Sequence, residues 1–124
     1  MEQTVTVPAG AAMPWTEVAS RLAEHGYAVQ VRMIDGLPAF PDEQPPDDWH
    51  ELRVGTPAGM VTLRRTPAGV GVVTWGNAGP DLQRAAHALL WAVADVGGGH
   101  IETPAGGQSA ADYAQEADLP WSSR

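Results

Sequence analysis

The chain contains no cysteine and no lysine. Without Cys there is no disulfide framework, no thiolate nucleophile and no Cys-based zinc site, a composition that suits a cytoplasmic protein. Without Lys there is no Walker-A lysine, no Schiff base and no lysine general base. All seven basic residues are Arg, set against 15 acidic ones, for a net charge of −8. Such a chain is expected to bind neither nucleic acid, which needs a basic surface, nor an anionic membrane. No apolar run approaches the roughly 18 residues needed to span a bilayer. The opening MEQTVTVPAG has neither the basic segment nor the apolar core of a signal peptide. Large aliphatics are also scarce. Leu, Ile, Val and Phe together make 23 of the 124 residues, close to the composition at which a charged chain stops folding. Five Trp and four Met supply part of the missing bulk, so one modest core with long polar connections is expected.

What is present centres on residues 49–96, which read as strand, turn, strand, turn, strand and then a long amphipathic helix. Thr-Pro-Ala-Gly occurs at 56–59, 66–69 and 103–106, and Val-Pro-Ala-Gly at 7–10. Pro pre-sets the first corner of a turn and Gly supplies the positive φ that returns the chain. The spacings are too irregular for a solenoid. At the first of these hairpins the turn pairs Val54 with Val61 and Leu52 with Leu63, giving one apolar face. At the second, the same rule pairs Leu63 with Val72 and turns Val73 and Trp75 outward. A bulged three-residue loop pairs Leu63 with Val73 instead and is the preferred reading, because it keeps Trp75 inside.

Before this stretch, residues 3–8 alternate as a short strand. Pro14 opens a helix with Trp15, Val18, Ala19 and Leu22 on one face and Gly26 as its cap. Tyr27 to Met33 alternate again, and Asp35-Gly36 turns the chain. Leu37 to Phe40 is at most an edge segment, since Pro38 excludes a central strand. Residues 41–48, with three prolines and four acids, read as a solvated loop. The long helix opens at Pro80 and Asp81 and buries Leu82, Ala85, Ala86, Leu89, Val93 and Val96. It stops at Gly97-Gly98-Gly99, before a strand at 100–103. The expected fold is α+β: one two-layer domain with a mostly antiparallel sheet of four to six strands and two helices on one face, in the order β-α-β-β-β-β-α-β. The domain is placed at 1–103. Residues 104–124 are read as a C-terminal extension with one short helix capped by Ser109.

Catalytic and metal chemistry find little support. Asp47, Asp48, His50 and Glu51 are the densest set of metal-type ligands, but their spacing matches no defined loop. His100 and Glu102 share one side of a strand after a Gly run, a weak basis for a proton relay. His25 is explained by the helix C-terminus it sits on. Gly76-Asn77-Ala78-Gly79 precedes a helix, yet Pro80 removes a donor and Asp81 places a negative charge where a phosphate would bind. Ser20, Ser109, Ser122 and Ser123 lie in no nucleophile elbow. No catalytic residue, metal or cofactor is assigned, and a hydrolase is the weakest expectation.

Two surfaces stand out instead. With Leu63 facing the core, Arg32, Arg53 and Arg64 project from the other sheet face, where they suit an acidic protein or a small carboxylate or phosphate ligand. Exposed strands carry long polar side chains by default, so the arrangement is also the ordinary one. On the long helix Trp91 points away from the buried stripe, among Arg84 and His87. It is either a contact residue or covered by Leu119 or Trp121. The sequence therefore reads as a non-enzymatic interaction or accessory module with a protein partner or a second copy of itself. A small anionic-ligand binder is the alternative.

Overall fold

The structure, a computed structural model, describes residues 2–8, 13–74 and 79–121. Eight strands form one antiparallel sheet: β1 (Glu2–Thr6), β2 (Gln30–Ile34), β3 (Leu37–Pro38), β4 (Glu51–Thr56), β5 (Gly59–Thr66), β6 (Gly69–Val73), β7 (His100–Thr103) and β8 (Gly106–Ser109). Their spatial order is β3-β2-β4-β5-β6-β1-β7-β8. The helices are α1 (Trp15–Glu24), α2 (Pro80–Gly97) and α3 (Ala110–Glu116). The α+β class and the antiparallel sheet agree with the sequence reading. The element count does not, because β3 and β8 are two-residue and four-residue edge strands too short to show alternation. Residues 104–121, expected as an extension, supply β8 and the third helix. Ser109 caps that helix, its Oγ accepting the Asp112 amide at 3.2 Å.

The three Thr-Pro-Ala-Gly segments close three hairpins in one way. Thr56 pairs with Gly59, Thr66 with Gly69 and Thr103 with Gly106. The threonine does work that Pro and Gly alone were expected to do. Thr56 Oγ1 accepts the Ala58 and Gly59 amides and donates to the Gly59 carbonyl at 2.7 Å. Thr66 Oγ1 accepts the Gly69 amide and Thr103 Oγ1 donates to the Gly106 carbonyl. These local bonds fix the loop length. The second hairpin therefore keeps the register of the first, with Leu63 opposite Val72. The bulged alternative is overturned. Val73 lies on the outer side opposite Thr62; Trp75 lies outside the described residues.

This register sorts the strands cleanly. Val5, Val31, Ile34, Leu52, Val54, Val61, Leu63, Val70, Val72 and Ile101 form the inner, buried face. α2 lies across β1, β5, β6 and β7, with α1 and α3 packed on its two sides. Burial consequently runs further round α2 than one stripe. Ala88, Leu90, Ala92 and Ala94 are buried along with Ala85, Ala86, Leu89 and Val93, while Leu82 and Val96 are only partly so. Arg21 of α1 pairs with Asp95 of α2 at 2.7 Å.

Residues 41–48 are not wholly solvated. Pro45 is buried, and the loop delivers Trp49 into the core, where its Nε1 donates to the Met13 carbonyl at 3.2 Å. Arg65 alternates with Leu63 and so points to the inner side. It stacks 4.5 Å over the Trp49 ring and donates through Nη2 to the Asp47 carbonyl at 2.6 Å. Burial pulls its guanidinium below the ordinary value, against the opposing pull of Asp47 and Asp48. Arg65 thus anchors the loop by cation–π and hydrogen-bond contacts.

Two glycines are required by close approach. A Cβ at Gly69 would collide with the Val5 carbonyl of the neighbouring strand. A Cβ at Gly99 would meet the Thr6 carbonyl. Gly69→Ala is expected to cost about 1–3 kcal/mol, the usual scale of overpacking. Gly107→Ala, with no neighbour closer than 3.5 Å, should be close to neutral. Denaturant unfolding of the two variants checks this, and equal stabilities would refute the packing argument.

Candidate interaction surfaces

The outer face of the sheet carries the arginines singled out from the sequence. β2 has a register shift between Val31 and Met33, a bulge that sets Arg32 and Met33 on the same side. Met33 faces Arg53 across the ladder. Arg32 lies over Gly55, where an added Cβ would come within 3.0 Å of Arg32 Nε. Gly55 is therefore the floor on which a second guanidinium rests beside Arg53. Arg64 is one strand further in and pairs with Glu51, Nε to Oε2, at 3.1 Å. Its strand neighbour is Gly71, and the Glu2 carboxylate occupies the space above that glycine.

Charge pairing distinguishes these residues. Arg21, Arg64 and Arg84 each meet a carboxylate, and Arg65 is held on the inner side. Among the described residues, Arg32 and Arg53 are the arginines of the outer face without an ion-paired carboxylate. Both are exposed. The outer face is not open throughout: Thr62 and Val73, opposite each other, are 3% and 5% exposed. The accessible part is the β2–β4 side.

The helix surface is different, because the chain's own C-terminal segment lies on it. Asp118 pairs with Arg84 at 2.9 Å, and its carbonyl oxygen meets His87 Nδ1 at 2.8 Å. Arg84 also bonds Asp81. Leu119 is 2% exposed. Trp121 stacks on His25 at 4.2 Å and meets the edge of Trp91 at 5.4 Å. Arg84, His87 and Trp91 form one stripe of α2, and residues 118–121 run along it. Trp91 is half-buried there.

The remaining sequence candidates do not assemble into a catalytic set. His100 is the cross-strand partner of Ser109, but Ser109 Oγ is spent on the α3 cap. Glu102 accepts the Thr6 hydroxyl at 3.0 Å. Asp35, with a positive φ of 50°, accepts the His50 and Glu51 amides at 2.8 Å each, and these bonds hold its carboxyl below the usual range. This contact, which sequence reasoning missed, organises the Asp47–Glu51 segment. Among the described residues no group of three or more acidic or histidine side chains is placed to hold a metal. Gly76, Asn77, Ala78, Ser122 and Ser123 lie outside the described residues.

Clefts occur on the helix side. A recess of about 100 Å³ is lined by Gln3, Val72, Thr74, Gln83, Ala86 and His87. An open cleft of about 430 Å³ adjoins it at Gln3 and His87, with Glu116 and Asp118 on its rim. Neither is lined by Arg32, Arg53 or Arg64. No helix among the described residues is long and apolar enough to cross a membrane.

The C-terminal segment should be held by burial rather than by charge. Asp118→Ala removes an ion pair that is a third to a half exposed, expected to cost about 0.2–1 kcal/mol, and keeps the carbonyl contact to His87. Leu119→Ala empties a buried site and should cost about 2–5 kcal/mol. Urea unfolding followed by tryptophan emission measures both, and the reverse order would show that the ion pair carries the segment.

Comparison with protein-family models, with curated proteins and with solved structures gives no match for this chain.

Proposed function

We propose that the protein is a non-enzymatic interaction module that receives an acidic protein segment on the outer sheet face around Arg32 and Arg53. One observation carries this reading. In a chain of charge −8, the two exposed arginines that lack a carboxylate partner among the described residues sit side by side on the accessible part of one sheet face. A bulge and a glycine floor set them there. Exposed guanidinia present planar, multidentate donors to carboxylates.

The helix surface supports the same choice by subtraction. Arg84, His87 and Trp91 already contact residues 118–121, so a partner there would first have to displace them. The small-anion alternative is less well supported, because the clefts on the helix side are not lined by these arginines and one of them has an acidic rim. The hydrolase reading has less behind it: the Ser109 hydroxyl is spent on the α3 cap, and the Thr6–Glu102 hydroxyl–carboxylate pair is an exposed contact.

Binding is measured with a labelled acidic peptide carrying one central phenylalanine. Arg32→Glu with Arg53→Glu should weaken binding by about tenfold or more, and added salt should weaken wild-type binding. Arg84→Glu, on the other side of the molecule, should leave it unchanged. Equal binding by wild type and the Arg32/Arg53 double variant would overturn the reading.

A further inference from the structure

Three large apolar side chains are exposed among the described residues: Leu37 at 70%, Phe40 at 74% and Met60 at 43%. Met60 and Phe40 lie by the arginine pair in the strand ladder, while Leu37 is paired with the buried Ile34 and falls on the helix side of the edge. Met60 is paired with Gly55, the residue Arg32 lies over. Leu37 and Pro38 form β3, the edge strand beside β2. The ladder continues one step past β3, where the Ala39 amide bonds the Arg32 carbonyl at 3.0 Å, and Phe40 follows. Directly after Phe40 the charge changes sign. Asp42 and Glu43 are exposed at this edge, with Asp47 and Asp48 further along the same loop. Crossing from β4 outward, the surface thus reads cationic, apolar, acidic.

We infer that this edge is the contact between two copies of the chain, related by a two-fold axis near Phe40. The inference rests on the interaction surface proposed above and names its occupant. A two-fold contact needs a patch complementary to itself. Here the cations and the acids flank one apolar centre, so rotation sets Arg32 and Arg53 of each copy against Asp42 and Glu43 of the other. Phe40 then meets its symmetry mate away from water. A second copy supplies the acidic segment for these arginines and also takes up the carboxylates beside them, so both flanks of the patch are matched. The contact is made by side chains rather than by extending the sheet. β3 offers only two residues, and Pro38 has no N–H to donate.

Charge exchange tests the occupant directly. Sedimentation is run on wild type, on Arg32→Glu with Arg53→Glu, on Asp42→Arg with Glu43→Arg, and on an equimolar mixture of the two variants. Glu43 also accepts the Phe40 amide, so Asp42→Arg alone serves as the milder acid-side variant. Wild type is expected to dimerise, less tightly in high salt. Each double variant should associate at least about tenfold more weakly, since each sets like charges against like. The mixture should recover the dimer, which also shows that both variants fold. A wild-type dimer that neither variant weakens, or a mixture that stays monomeric, overturns the inference. If wild type is monomeric yet still binds the acidic peptide in an Arg32/Arg53-dependent way, the second copy is rejected and the interaction surface stands. If peptide binding is also absent, both fall.

Discussion

The register imposed by the Thr-Pro-Ala-Gly turns is the constraint on which the rest depends. In a strand, side chains alternate, so a slip of one residue between β5 and β6 would exchange the two faces of β6 and of every strand beyond it. The threonine hydroxyls bond the amides or carbonyls of their own turns and leave two residues in each loop. Leu52, Leu63 and Val72 then line up across three strands, and β1 can dock against β6. That close approach is why Gly69 has no room for a Cβ. With the inner face settled, α2 has a continuous aliphatic floor, and Arg53 is committed to the other side.

Large aliphatics are few, and the fold uses them sparingly. α2 presents alanines on most of its circumference, so sheet, α1 and α3 approach closely around it. Aromatics close the margins. Trp49 plugs the α1 end beneath Arg65, and Trp121 covers Trp91 and His25 at the other. Both are delivered by segments outside regular structure, which fits the irregular share of a chain with 11 prolines and 14 glycines. The outer face lacks such a cover on its β2–β4 side, and there the unpaired cations and exposed apolar residues collect.

Much of this was legible in the sequence where periodicity was strong. The α1 stripe of Trp15, Val18 and Leu22, the Asp35-Gly36 turn and the Pro80 start of α2 follow from local chemistry. The outward placement of Arg32, Arg53 and Arg64 follows from alternation once Leu63 faces inward. The register of β6 was misread because keeping Trp75 inside was weighted above identity of the turns, and repetition of the same four residues was the better guide. The bulge at Arg32 left no sequence mark, since it depends on how β2 meets β4. Trp49 and Pro45 were hidden in an acidic, proline-rich run whose composition argued for solvent. Alternation from Leu63 places Arg65 inward, but nothing in the sequence shows that it meets Trp49. The C-terminal segment over Trp91 was readable only as one of two options, because helical projection shows where a residue points and not what meets it.

The central claim is that the accessible outer face, from Phe40 across Arg32 to Arg53, is where this protein makes its contacts. Backbone amide resonances of the isotopically labelled chain, compared between dilute and concentrated solution, test it most directly. Self-association through this face predicts concentration-dependent shifts confined to residues 30–33, 37–43, 53–55 and 60–62. Shifts confined instead to residues 84–91 and 118–121 would contradict it, and none over the whole range would remove the second copy as the occupant of this face.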